Sequence, residues 1–201
     1  QQDNVKFEKI PISFKGYPVD GDNSKQMKSV VYNLRSAITM DRSGSSNYNI
    51  MGIGKSYSEN SLYRQLPYDY YMIMLSDTTG GLLMYNDGDS VHESLEDSMI
   101  YVPSLSNTMY SVSPLSVIID MKQYTGYKLI IDTGSNMLTL PSELFKNYSQ
   151  MKNKGIAIRL TGDLTLNLKD HHLNLNGQSL VDHNTIENYS DKIIIGSLYF
   201  K

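Results

Sequence analysis

No cysteine and no tryptophan occur in these 201 residues, and there are only six prolines and four phenylalanines. The absence of cysteine excludes disulfides and thiolate metal sites. It leaves the compartment open, because a chain of this length can bury a core without covalent staples. A strong charge of one sign is missing too, with eighteen Lys and Arg against twenty-one Asp and Glu for a net −3. No basic run could track a phosphate backbone, so no nucleic-acid partner is expected. No apolar window approaches the length of a membrane span. Gln1-Gln2-Asp3-Asn4 does not have the character of a signal peptide, so the expectation is that none exists or that it was removed. Asn, Ser, Tyr, Met and Ile are plentiful instead, a usage in keeping with a compositionally biased genome. By length the chain is one large domain or two small ones.

Taken in order, Val5 to Phe14 alternates as a strand or two, with Pro11 marking an edge or a break. Gly16 to Lys28 has loop composition, Ser29 to Met40 reads as strand, and Asp41 to Asn49 is a polar loop. In Ile50-Met51-Gly52-Ile53-Gly54, glycines alternating with apolar residues suggest a strand end packed on another backbone. Ser61 to Leu66 reads as a short helix, and Tyr70 to Leu75 and Gly80 to Tyr85 as strands. Between them Asp77-Thr78-Thr79-Gly80 is a hairpin turn. Met99 to Pro103 reads as a strand end and Tyr110 to Met121 as one long strand. Ser142 to Met151 is a helix capped by Ser142, with Leu144, Phe145 and Tyr148 at helical spacing. Gly162 to Leu168 alternates strictly, Leu173 to Gly177 leads into a turn, and Ile193 to Phe200 is a last apolar strand. Little helix and many strands with turn signals between them predict an all-β fold, a curled sandwich or barrel-like lobe.

The chemistry concentrates in Leu129-Ile130-Ile131-Asp132-Thr133-Gly134-Ser135, followed by Leu138-Thr139-Leu140-Pro141. A buried strand ends at a carboxylate, and a tight turn follows at Gly134. A charge at the end of an apolar strand is costly unless it is hydrogen-bonded, and Thr133, Ser135 and the turn N–H groups are the available partners. The expectation is therefore a largely buried Asp132 within hydrogen-bond reach of Gly134 or Ser135.

Two apolar residues, then Asp-Thr-Gly-Ser, with Leu-Pro six positions beyond the Gly, resemble the active-site loop of the pepsin-like aspartic proteases. Further stretches are similar to that family: Met51-Gly52-Ile53-Gly54 to a glycine strand that braces the N-terminal active-site loop, Gly80 to Tyr85 to a strand opening the C-terminal lobe, and Ile193-Ile194-Ile195-Gly196 to the brace behind the second catalytic loop. The family's Asp after that last Gly is Ser197 here. The resemblance runs from about Asp3 to Phe200. It implies a pepsin-like lobe with a few short helices, divided into residues 1–75, the later part of an N-terminal-lobe-like region, and residues 76–201, a C-terminal-lobe-like domain. It leaves the first part of the N-terminal lobe, with the first catalytic Asp, without a counterpart. The expectation is thus a fragment, one chain of a cleaved enzyme or the ordered part of a larger protein.

What the resemblance implies for function is an aspartic endopeptidase in which Asp132 is one of two catalytic carboxylates. The second would come from a complementary chain or segment of the same precursor. Thr133 would tie two loops together, Gly134 would allow the turn, the Ser135 hydroxyl would bond the outer oxygen of Asp132, and Gly196 would brace the loop. The partner is a peptide or protein substrate, with no cofactor and no metal expected, and the family points to a secreted or vacuolar or lysosomal setting. Two alternatives stand beside it. One is a catalytically inactive binding or structural module of the same fold, and the other a retroviral-type protease in which two identical chains each supply Asp132.

Other groupings carry less. Asp170-His171-His172 with Asp182-His183 does not chelate easily, because adjacent strand residues point to opposite faces. Ser135 is not the nucleophile of a Gly-x-Ser-x-Gly elbow, which is absent. Asn147-Tyr148-Ser149 and Asn188-Tyr189-Ser190 are glycosylation triplets only in a secretory setting. Most of the sixteen tyrosines are expected in core and surface packing.

Overall fold

The computed structural model describes residues 5–17, 26–39, 51–56, 58–76, 78, 80–106, 109–135, 138–150, 155–169, 174–175, 178–179 and 192–200. The described residues are mostly strand, and the fold is all-β. Among them no helix is long and apolar enough to cross a membrane. The chain divides into two units, one of Gln1–Tyr71 with Met84–Ser98 and one of Met72–Leu83 with Met99–Lys201.

The first unit is organised on a long hairpin. Strands β1 (Val5–Gly16) and β2 (Lys28–Thr39) pair antiparallel in unbroken register, with Ile10 opposite Leu34 and Ile12 opposite Tyr32. Pro11 does not break β1, because a proline is tolerated where its missing N–H would have pointed away from the partner strand. Leu34 is buried, while Phe7 and Val31 on the opposite face are exposed. Helix α1 (Leu62–Gln65) follows where the sequence predicts a short helix, but it is one residue shorter at each end, with Ser61 and Leu66 both extended. Residues 51–56 form no strand, and among the described residues none lies within 4 Å of where a Cβ on Gly52 would stand, so the close backbone approach expected at that glycine is not seen among them. Strands β3 (Tyr70–Leu75) and β4 (Gly80–Tyr85), of which only Tyr70, Tyr71, Met84 and Tyr85 belong to this unit, pair as read from the sequence, and the turn residues Asp77 and Thr79 lie outside the described set. Helix α2 (Ser90–Glu96) was not expected. It is short and mostly polar, so it lacks the apolar periodicity that marks longer helices.

The second unit has two four-stranded sheets. One contains β5 (Ser111–Val112), β8 (Lys128–Ile131), β9 (Leu138–Thr139) and β14 (Lys192–Ile195), in the order β5-β8-β14-β9. The other contains β6 (Ser116–Ile119), β7 (Lys122–Tyr124), β10 (Gly155–Arg159) and β11 (Thr165–Lys169), in the order β11-β10-β6-β7. Strands β12 (Asn174–Leu175) and β13 (Gln178–Ser179) pair separately. One core cluster joins Leu129, Leu138, Ile193 and Ile195 of the first sheet to Val117, Ile119, Ile156 and Ile158 of the second. Leu144 and Tyr148 of α3 (Ser142–Ser149) complete it.

Four local expectations are corrected here. Tyr110 to Met121 is not one strand: Pro114 supplies no N–H, and the chain passes from β5 in one sheet to β6 in the other. Met99 to Pro103 forms no strand, and Leu105 N–H instead donates to the Ser111 carbonyl. The residue capping α3 is Pro141, with Ser142 already helical and making no side-chain cap bond. The last strand ends at Ile195, and Ser197–Phe200 is a 3-10 turn. The β6–β7 turn is also unusual. Asp120 and Met121 take φ of 49° and 61°, where hairpins of this length favour Asn-Gly, and Met121 is almost wholly exposed.

Candidate functional site

Strand β14 lies between β8 and β9, parallel to the first and antiparallel to the second. The connection from β8 to β9 therefore has to arch over the end of β14, and Asp132 is the first residue of that arch. After the exposed Lys128 at its start, β8 is apolar up to Asp132, and it is flanked on both sides, by β5 and β14. Its Leu-Ile-Ile run is the near-continuous apolar type that a parallel pair favours. Leu129, Ile193 and Leu138 are completely buried beneath the arch.

The arch is fastened at both ends by main-chain bonds. Asp132 N–H donates to the Ile195 carbonyl at 3.0 Å, and Ser197 N–H donates to the Ser135 carbonyl at 2.7 Å. Gly196, which is buried, sits between those two anchor points. Within the arch Ser135 N–H donates to the Asp132 carbonyl at 3.1 Å, closing a β-turn over Thr133 and Gly134. Gly134 N–H donates to Asp132 Oδ1 at 3.0 Å. The requirement for glycine is one of space. Its backbone is not in the left-handed region, but a Cβ there would lie 3.2 Å from Asp132 Oδ1.

The structure places Gly196 beside the contiguous Asp132, Thr133, Gly134 and Ser135. It corrects the burial of the carboxylate: Asp132 is exposed, with Thr133 and Ser135 half-buried. Asp132 stands past the last ladder position of β8, so its side chain leaves the sheet and water solvates what Gly134 does not. The Thr133 hydroxyl has no hydrogen-bond partner among the described residues. No group of three or more His, Asp or Glu with the geometry to hold a metal occurs among those residues. Asp170, His171, His172, Asp182, His183 and Asn188 lie outside them, and Asn147 lies on α3 with its side-chain amide donating to the Glu143 carbonyl.

A second grouping, in the first unit, went unnoticed in the sequence. His92 of α2 is 5% exposed, and its ring stacks on Tyr70 at 4.7 Å, which in turn stacks on Tyr85 at 5.1 Å. Its Nε2 donates to Asp87 Oδ1 at 3.1 Å, since a carboxylate only accepts, and its buried Nδ1 has no partner among the described residues. Only the strand ends and a one-turn offset bring these residues together, and no contiguous motif signals them. The stack packs α2 on the β3–β4 pair.

No family model matches the chain, and no curated protein sequence matches it. Among solved structures it is similar to conglutin gamma, a basic 7S globulin from lupine seeds, with a TM-score of 0.63 at 13% identity over 98% of this chain. This chain spans 64% of that protein's length. At that identity the likeness is one of fold, and it agrees with the all-β architecture.

Proposed function

We propose that this chain contributes one half of a peptide-hydrolysing site of the pepsin-like aspartic type, with Asp132 as its carboxylate. The observation that supports this most is the arch over β14: a carboxylate leaves a fully packed sheet, one oxygen is held by Gly134 N–H, and the group stays exposed. A carboxylate fixed at its base and open at its face is suited to meet a second one. Two carboxylates in contact share one proton, because they repel each other when both are ionised. The ionised member takes a proton from a water, which attacks the peptide carbonyl carbon. The protonated member gives its proton to the carbonyl oxygen, forming a tetrahedral gem-diol. The first carboxyl then passes the proton it took from water to the leaving nitrogen while the other recovers one from a gem-diol hydroxyl, and the C–N bond breaks to give the acid and the amine. The substrate in this reading is an extended peptide held by strand-like hydrogen bonds. The second Asp comes from a complementary segment or chain, since the sequence holds a single Asp-Thr-Gly triplet. In this reading Thr133 ties the two halves together, Ser135 orients the carboxylate, and Gly196 braces the arch. The setting is secreted, vacuolar or lysosomal.

The second reading, a non-catalytic binding or structural module of this architecture, rests on one observation: a neighbour in fold is described as a globulin. The identical-chain reading would use two exposed Asp132 carboxylates. One assay separates the three: peptide hydrolysis against pH by the chain alone, by the chain with a complementary segment, and by Asp132→Asn. The completed pair is expected to cleave best at acid pH, and Asp132→Asn to lose about a thousandfold or more of that rate while keeping the fold. Undiminished cleavage by Asp132→Asn overturns the mechanism. A completed pair inactive at every pH favours the module. Cleavage by the chain alone, rising with the square of its concentration, favours identical chains.

A further inference from the structure

The β1–β2 hairpin carries five basic residues and one acidic in a chain whose net charge is −3. Its two faces differ. Ile10, Ile12, Tyr32 and Leu34 share the inner face and are half-buried or buried. On the outer face Lys9, Lys15, Arg35, Phe7 and Val31 are all exposed, and no carboxylate of the strands shares it. Of those cations Arg35 has a carboxylate near it, Glu59 at 3.8 Å, itself 90% exposed.

The edges of the hairpin differ as well, and Gln65 shows how. Arg35 N–H donates to Gln65 Oε1 at 2.5 Å, and Gln65 Nε2 donates back to the Arg35 carbonyl at 3.1 Å. A side-chain amide is therefore acting as one residue of an added strand. It also shows that the Arg35 main chain points away from β1. In an antiparallel pair the outward direction recurs every second residue. Hence Ser29, Val31 and Asn33 also present N–H and C=O outward. Among the described residues nothing outside the hairpin bonds to their main chain. By the same register the residues of β1 that point outward include Pro11, opposite Asn33, flanked by Lys9. A proline and lysines blunt an edge against strand addition. One edge is closed and, among the described residues, the other is open.

We propose that the open edge of β2, over Ser29 to Asn33, is a docking site for an acidic, extended polypeptide segment that adds to the hairpin as a third strand. The main-chain groups of Ser29, Val31 and Asn33 supply affinity, and Lys9, Lys15 and Arg35 select carboxylates on the face that the partner shares. A second copy of this chain is a poor occupant, because it would bring the same cations to the same edge. The site lies wholly in the first unit and does not depend on Asp132.

The test uses the whole chain and a synthetic peptide of alternating Glu and Val, with the Lys and Val counterpart as control. Binding of the acidic peptide is expected to slow amide exchange at Ser29, Val31 and Asn33. The intervening Val30, Tyr32 and Leu34, already bonded to β1, should be unchanged. Val31→Pro removes an outward N–H without touching the β1 ladder and should weaken binding about tenfold. Lys9→Glu with Lys15→Glu, which leaves the backbone edge intact, should reverse the preference towards the Lys peptide. No binding of the acidic peptide, protection at residues other than these three, or equal binding of both peptides overturns the proposal. So does dimerisation of the chain through β2, or uptake of duplex DNA with no peptide bound.

Discussion

The β1–β2 hairpin and the β5-β8-β14-β9 sheet are both made of apolar-rich strands, and they reach opposite degrees of burial. Among the described hairpin side chains Leu34 alone is buried, whereas Leu129, Leu138, Ile193 and Ile195 are all at or below 1% exposure. Composition does not separate them, since Ile10, Ile12, Phe14, Val30 and Val31 are as apolar as the residues of β14. What separates them is the number of neighbours each strand has. β8 and β14 have a strand on each side and a second sheet and helix in the same core cluster. β1 and β2 have each other. A two-stranded ribbon leaves both edges and most of its surface in water, so it is marginal by itself. The same apolar alternation that closes one region leaves the other available to a partner.

That contrast can be broken or sharpened in four ways. The largest effect is expected from Ile193→Ala, which empties a fully buried site between β8 and β9 and should cost about 3 to 4 kcal/mol in chemical denaturation. An equal loss of amide protection in β1 and β2 would mean that the two regions fold as one. Leu34→Ala comes next, at about 2 kcal/mol, the low end for such truncations because the site around it can collapse. Exchange should quicken along the hairpin while Leu129 and Ile193 keep their protection, and no change in the hairpin would show that Leu34 does not anchor it.

Gly134→Ala is a smaller test of the arch. The new Cβ, 3.2 Å from Asp132 Oδ1, has to push the carboxylate off its N–H, for about 1 kcal/mol in thermal unfolding. A neutral result would mean that the arch gives freely and is not rigid. The smallest effect is alkaline. Tyr68 is pushed up to about 12 by its hydrogen bond with Tyr32, and Tyr127 to about 12 by burial and then by donation to Glu143, from an ordinary 10.0. Each hydroxyl holds its proton more tightly in the folded chain. Its stabilisation is therefore complete below about pH 10 and is lost as pH rises through about 12. Tyr68→Phe should flatten that fall as read by probes in the first unit, and Tyr127→Phe as read in the second. A fall unchanged by both substitutions would assign it to other groups.

Much of the local architecture was readable in the chain. The limits of β3 and β4 follow from their flanking turns, and β2 differs from the reading by one residue at each end. Asp132 at the end of an apolar run, followed by Gly134, announced both the turn and its N–H bond to the carboxylate. The misreadings share a cause. Tyr110 to Met121 alternates as one strand would, but alternation cannot say to which sheet each half belongs, and Pro114, with no N–H to give a ladder, marks where the chain changes sheet. Ile193 to Phe200 is apolar throughout, yet the ladder stops where Ser197 N–H turns to the Ser135 carbonyl. Short α2 has no periodic signature, so the stack of His92 on Tyr70 and Tyr85 had no advance signal.

By itself the sequence determined the all-β character, because apolar alternation and turn residues act over a few positions and need no distant partner. It also determined which residues form the arch, since Asp132 to Ser135 are contiguous and their mutual bonds are local. Only the tertiary structure decided that β14 inserts between β8 and β9, that Gly196 lies between the two anchor points, and that Asp132 is exposed. Each of these depends on segments some sixty residues apart meeting in one register, and pairing between strands that distant is set by the packing of the whole core. The same holds for the hairpin: the sequence shows two good strands, and only the fold shows that, among the described residues, one of their edges is left open.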